Sequence, residues 1–505
     1  MSETAKEIAE LSPERRQLLE LLLKRETAAA PSLTIPRRER STSVPLSFAQ
    51  QRIWFLNQLE PRSPAYNTPA AVRLGGRLNA PAMERTLGEI IRRHEALRTT
   101  FKMVAGQPLQ AIHGAEPISL PVIDLTGLPE AGRELEAQHL AQAEAAEPFD
   151  LERGPLVRAT LLRLDHKEHV LLFTMHHIVS DGWSTGVLIR EVATLYKAFV
   201  KEQPSPLPEL PIQFADFALW EREWLRAAAL DKQLAYWKQQ LGGKPPTLEL
   251  PTDRPRPIVA THKGASKSFA LPEILSASLK ALCQRLNVTL FMLLLAAFNV
   301  LLHLYTGQED ILIGSPIANR NRAETEALIG CFINTLVMRT DLSGNPSFGE
   351  LLGRVREMVL GAFANQDVPF ERVVAELRPQ RTHSHQRFFR VWFVLHNAPM
   401  QTLELPGLRL SNFKVERGTA QFDLAMSVME AAGQIVGSLN YSTDLFDAET
   451  IAEMLERYAL LLQSGAAHPE ARLLDISLTR NENESHPIAA PGLLETHEME
   501  DQFVL

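Results

Sequence analysis

The chain has 505 residues, 45% of them hydrophobic and 22% charged, with a net charge of -8 at neutral pH. That balance is ordinary for a soluble globular protein, and without a long basic stripe it offers no general attraction to nucleic acid. Cys283 and Cys331 form no CxxC pair and stand in apolar surroundings, which argues against a disulfide framework and fits a reducing cytoplasm.

Length suggests two to four domains. The opening residues are charged and lack the apolar core of a signal peptide. Residues 1–42 read as an amphipathic helix over Pro13–Lys24 and a polar linker holding Pro31, Pro36 and Arg37–Arg40. That segment is either a solvated leader or a docking helix. From Leu46 the chain mixes helices and strands. Pro81–Leu97 is predicted helical, with Met83, Leu87, Ile90, Ile91, His94 and Leu97 on one face. Pro155–Leu164 and His169–Met175 read as strands, rich in Val and Leu. Ser184–Val200 reads as a helix with Ser184 as N-cap.

Prolines punctuate 204–211 and 244–257, and between them lies an aromatic-rich helical segment, Phe214–Leu241. The second half predicts an apolar helix from Thr289, strands near Ile311–Gly314, Ile333–Arg339 and Phe388–Leu395, and a closing helix Ile451–Leu462. The apolar stretch Leu290–Phe298, extended by Val300–Leu302, is too short for a membrane span. Both halves mix strands and helices at similar size. The expectation is an α+β fold of two lobes, 43–215 and 216–478, with a cleft between them. The tail, 479–505, has one Arg against six acidic residues and is expected to be disordered, with a candidate docking motif at its end.

The sharpest local signal runs Met175-His176-His177-Ile178-Val179-Ser180-Asp181-Gly182-Trp183-Ser184. A strand delivers two histidines to its end, and adjacent side chains on a strand face opposite ways. One imidazole can then face a cleft while the other packs inside. A neutral imidazole accepts a proton at pH 7. Such a pair is as readily core packing as chemistry. A metal site is disfavoured, because the two histidines diverge and HExxH is absent. Gly182-Trp183-Ser184-Thr185-Gly186 matches GxSxG, but a loop separates strand from helix where a nucleophile elbow turns directly. A binding module without catalysis is the third rival.

Six motifs occur in order from Val44 to Leu478. They are Leu46–Leu56, Arg93–Phe101, the His motif, Phe214–Trp220, Ile329–Thr335 and Asn365–Glu371. Together they resemble the condensation domains of nonribosomal peptide synthetases, of the chloramphenicol-acetyltransferase-like superfamily. A seventh motif departs: Ser384–Phe389 lacks the family's Arg and Pro. The resemblance implies two lobes in a V-shaped pseudo-dimer with a central tunnel, entered by phosphopantetheine arms of peptidyl or acyl carrier proteins.

It also implies His177 as the catalytic histidine, with His176, Asp181 and Gly182 completing the HHxxxDG site. In the family the Asp is anchored by an Arg, for which Arg93 is the first candidate and Arg98 the second. Trp183, Ser184, Trp220 and Asn334 match motif positions near the tunnel. The order Asp-Gly-Trp-Ser most resembles the subtype taking an L-configured donor.

The activity implied is acyl transfer from a carrier thioester to an amine or hydroxyl, in peptide or hybrid polyketide biosynthesis. The chain shows no carrier or adenylation segment, so a free-standing monomer is expected, served by carriers in trans or by a free small acceptor. No cofactor or metal bound by the chain is implied. The alternatives are a catalytically idle platform of the same fold and a serine hydrolase using Ser184.

Overall fold

The computed structural model describes residues 34–39, 43–116, 118–225, 229–243, 246–259, 261–377, 388–396, 405–413, 415 and 418–475. The expected helix at 13–24, the tail from 479 and residues 384–387 of the divergent motif lie outside the described residues. Part of the linker is anchored rather than solvated. Ile35 is buried, and Arg38 pairs with Glu95 at 2.6 Å and Asp216 at 2.8 Å.

Two large sheets carry the described residues. The first runs in the order Leu408–Asn412, Asn67–Gly76, Glu168–His176, Val157–Asp165, Val122–Asp124. Its neighbours are antiparallel except the last pair. The second has six strands, in the order Asn334–Asp341, Asp310–Ile317, Val391–His396, Leu424–Ala431, Gln434–Ser442, Gly264–Ala270. Val391–His396 is parallel to both its neighbours. A third, small sheet joins Val44–Pro45, Gln107–Ile112 and Thr99–Val104.

Glu168–His176 reads as a nearly continuous apolar run because it lies centrally, with neighbours on both edges and cover on both faces. At the sheet's far edge, Leu408–Asn412 comes from the second half of the chain and pairs with Asn67–Gly76. Gly76 permits that approach. Its φ is +136°, and a Cβ there would run into the Gly407 carbonyl.

Helix boundaries follow capping. Leu290–Thr306 starts at Thr289, whose hydroxyl accepts the Met292 N–H at 3.3 Å, and stops at left-handed Gly307. Residues 292–302 are all buried, Asn299 included. Its amide donates to the Leu295 carbonyl at 2.8 Å, which makes its burial tolerable. No single described helix is long and apolar enough to cross a membrane.

Three helical expectations need correction. Ala80–Arg93 ends before His94, whose backbone is extended, and Glu95–Arg98 forms a 3₁₀ turn. The segment 214–241 contains two helices, Phe214–Trp224 and Ala229–Leu241. Gly182–Phe199 begins two residues before Ser184, because Asp181 takes the cap.

One core lies under the six-stranded sheet and includes Phe298, Phe393 and Tyr458. A third, smaller cluster holds Ala137, Ala141, Leu162, Val170 and Leu172. A second, larger one lies against the five-stranded sheet. It takes in Phe214, Phe217, Leu328, Ile329, Cys331, Phe332 and Leu405, so later segments return to pack with the first half. Phe298 is fully buried, with ring centroids of Phe393 at 5.8 Å and Tyr458 at 6.2 Å. Phe298→Ala is expected to lower unfolding free energy by about 3–5 kcal/mol, read as a lower urea midpoint at unchanged slope.

Candidate active site

The strand Glu168–His176 ends at His176, and residues 177–181 turn into the helix Gly182–Phe199. The alternation expected of a strand divides the two histidines. His176 is 2% exposed and packs edge-on against Phe149, with ring centroids 5.8 Å apart. Its Nδ1 accepts the Ile178 N–H at 3.2 Å, so the ring braces the turn. Desolvation first, then the neighbouring His177 and Arg158 charges, holds its pKa down at about 3. His176 is therefore a neutral structural group at physiological pH. His177 follows, with its N–H donated to the Tyr66 carbonyl at 2.8 Å and 8% of the residue still exposed.

Asp181 is the hub of the turn. It is 4% exposed and accepts four kinds of donor. Oδ1 receives the Ser184 N–H at 2.8 Å, capping the helix, and the Ser184 hydroxyl at 2.7 Å. Oδ2 receives the Phe332 N–H at 3.0 Å. Arg320 Nη2 donates to both oxygens, at 3.0 and 3.3 Å. Arg320 also bonds the Thr325 and Leu328 carbonyls and lies 4.0 Å from the centroid of the Phe332 ring. The buried carboxylate thus has its counter-charge and a full set of hydrogen bonds.

This overturns the expected partner. Arg93 is buried elsewhere, donating to Glu191 at 2.8 Å and to the Pro208 carbonyl. Arg98 faces Glu95 at 3.6 Å and bonds the His113 carbonyl. Both arginines belong to the chain near residue 94 and lock it to its own surroundings. Arg320, in Ala318-Asn319-Arg320-Asn321-Arg322 after the strand Asp310–Ile317, was missed because nothing in that run separates it from Arg322.

Ser184 does not serve as the N-cap. Its hydroxyl is fully buried and has one proton, for which the Asp181 carboxylate is a stronger acceptor than the Gly330 carbonyl at 3.0 Å. It accepts from the Gly330 N–H and Arg320 Nη2, each at 3.1 Å. An exposed nucleophile paired to an imidazole needs the reverse arrangement. Gly330 is packed so tightly that a Cβ would enter the Phe214 ring.

Gly182 opens the helix, and Trp183 donates its ring N–H to the Glu326 carbonyl at 2.9 Å. Asn334 joins two motifs. Its amide donates to the Gln366 and Val368 carbonyls at 2.9 and 2.8 Å, and its oxygen accepts the Phe370 N–H at 3.1 Å. Trp220 stacks on Trp224, centroids 5.5 Å apart, with the Arg322 guanidinium 4.3 Å from its centroid. Among the described residues no group of three or more His, Cys, Asp or Glu is placed to hold a metal ion.

A sequence profile of the condensation domain matches residues 40–486. A linear gramicidin synthase of Brevibacillus parabrevis is 49% identical over 465 residues, 91% of this chain and 6% of that protein. The chain thus spans a small fraction of that relative's length. The X-domain from teicoplanin biosynthesis superposes with a TM-score of 0.81 at 30% identity, covering 88% of this chain and 99% of its own. The same kind of domain in complex with OxyB gives 0.79 at 30% identity, covering 90% and 99%.

Asp181→Asn is expected to cost about 3–5 kcal/mol, because it strands the buried Arg320 charge; Arg320→Met, which strands the carboxylate, should cost a similar amount in the same denaturant titration. The His176 shift has the opposite sign to a salt-bridged histidine. The unfolded ring binds its proton near 6.5 and the folded one near 3, so stability is full above pH 6.5 and falls as pH drops towards 3. His176→Asn, which retains an acceptor for Ile178, should flatten the stability profile in that window.

Proposed function

The chain belongs to the condensation-domain family, and from that premise we propose that it transfers an acyl or peptidyl group from a carrier-protein thioester to an amine or hydroxyl, forming an amide or an ester. The family fold is α+β, with two chloramphenicol-acetyltransferase-like lobes, and condensation domains work on substrates carried by phosphopantetheine. In this reading the lobes are 43–215 and 216–478, and the tunnel between them brings both substrates to His177. The donor residue is of L configuration.

The observation that carries the reading is the division of the histidine pair. His176 is committed to the turn, while His177 follows it at the strand end with residual exposure, beside a helix start clamped by Asp181 and Arg320. A free α-amine has a pKa of roughly 7.7–8.0, so part of it is neutral at physiological pH. Its nitrogen attacks the thioester carbon, His177 takes the proton released, and collapse breaks the C–S bond. The leaving sulfur takes that proton from His177 and departs as the thiol, and the product carries the new C–N bond. A hydroxyl, which holds its proton more tightly, leans harder on the imidazole. Holding both reactants together lowers the barrier independently of the base. The N–H of Gly182, at a helix start where backbone donors lie outside the helical ladder, is the group offered to the developing oxyanion.

A second reading, an interaction platform without catalysis, is favoured by the likeness to a domain solved in complex with OxyB. The retained His177, Asp181 and Gly182 support catalysis instead.

Intact-mass analysis of products from an acyl-loaded carrier and a panel of amines and alcohols separates the two readings. His177→Ala is expected to lower turnover by about 10²–10⁴. Unchanged product formation by that variant would leave a tunnel that only positions its substrates, whereas absence of product from the parent would favour the platform. Ser184→Ala should lower stability by about 1–3 kcal/mol while product still forms, whereas a serine nucleophile would lose all turnover.

A further inference from the structure

The His177 turn is held from behind by a side chain on a different element. Gln50 is 1% exposed and lies in the first turn of the helix Phe48–Leu59. Both ends of its amide are used. Its oxygen accepts the Ser47 N–H at 3.0 Å, while the Ser47 hydroxyl accepts the Gln50 N–H at 3.1 Å, a reciprocal capping box. Its Nε2 reaches 128 residues along the chain and donates to the Ile178 carbonyl at 3.2 Å.

Glutamate serves the capping box as well as glutamine does, since only an acceptor is required. The reach to Ile178 needs a donor, which an ionised glutamate lacks. The amide therefore does a second task that the helix cap does not explain. The helix carrying it is itself pinned. The Phe48 N–H is donated to Glu221 at 3.0 Å, and Arg222 Nε donates to the Leu46 carbonyl at 2.9 Å. Burial raises the Glu221 pKa to about 7. The second peptide after His177 is thus fastened to a rigid frame through the Ile178 carbonyl, while the peptide before His177 is fastened to Tyr66.

We propose that Gln50 is a positioning residue for His177, fixing the Ile178 carbonyl and hence the direction in which the imidazole is presented. This deepens the condensation reading and rests on His177 as its base. The charged and titratable groups on this helix and on the elements packed against it include Arg52, which lies 3.8 Å from Glu371; Glu221 and Arg222, which hold the Phe48 N–H and the Leu46 carbonyl; and His176, whose ring accepts the Ile178 N–H.

The test is Gln50→Glu, which retains the cap and makes the second bond depend on protonation. A protonated carboxyl donates O–H to Ile178; an ionised one places two acceptors face to face. Two readouts run from mildly acidic to mildly alkaline pH on the folded variant. One is kcat and KM with an acyl-loaded carrier. The other is hydrogen exchange of residues 176–180. At acidic pH the variant should match the parent in both. As pH rises, kcat should fall by about 10–100-fold with KM within about twofold, as amide protection at 176–180 falls in step. Gln50→Ala, lacking both bonds, should be impaired at every pH and unfold at lower denaturant.

Unchanged protection in Gln50→Glu across the range would overturn the proposal whatever the activity. Loss of protection with parental kcat would also overturn it, leaving a bond without catalytic consequence. Full turnover by His177→Ala in the same assay would instead remove His177 as the base on which this proposal rests, and the exchange arm would still decide whether Gln50 holds the turn.

Discussion

A carboxylate 4% exposed has to find positive charge, and in this protein it finds it 139 residues away. Asp181 sits where the strand carrying the histidines gives way to a helix. Its oxygens bind that helix's first turn, the Phe332 N–H and the Arg320 guanidinium together. The helix start that follows His177 is held by this ion. Without it the helix would lose its cap, the chain at 329–332 would lose its anchor, and Arg320 would be a bare buried charge. Aromatic faces complete the insulation, with Phe332 under the guanidinium and Phe214 beneath Gly330.

Much of this was legible in the sequence because it is local. Periodicity located the helices Ala80–Arg93 and Leu290–Thr306, and the contiguous His-His-x-x-x-Asp-Gly run announced a strand end turning into a helix. Local competition was harder. Asp181 and Ser184 are both good caps three residues apart, and only the tertiary setting decides that the carboxylate caps and the hydroxyl donates to it. Pairing over distance was not readable. Arg93 and Arg98 lie in a recognisable motif, yet Glu191 and Glu95 claim them, while the arginine that matters stands in an undistinguished polar run. The strand Leu408–Asn412 was likewise missed, because five residues of alternating character at a sheet edge carry little signal.

The two adjacent histidines show how burial assigns roles to identical side chains. His176 is surrounded by Phe149, Tyr66 and its own turn, so the charged ring is expensive and the neutral ring becomes a fixed acceptor. One residue later the pleat reverses, and the same imidazole chemistry is placed next to backbone that Tyr66 holds. The apolar investment lies elsewhere, in a helix buried along eleven consecutive residues. A rigid interior of that kind allows the turn that carries His177 to remain in place.

The edge strand Leu408–Asn412 bears on how such proteins can be recombined. It is encoded in the later half of the chain but completes the earlier half's sheet, against a Gly76 backbone that tolerates no side chain. A chimera joined near the middle of the chain would ask one parent's ribbon to complete the other parent's ladder. Functional crossovers between related sequences should therefore respect a discontinuous parental block, in which the ribbon travels with the strand it clasps.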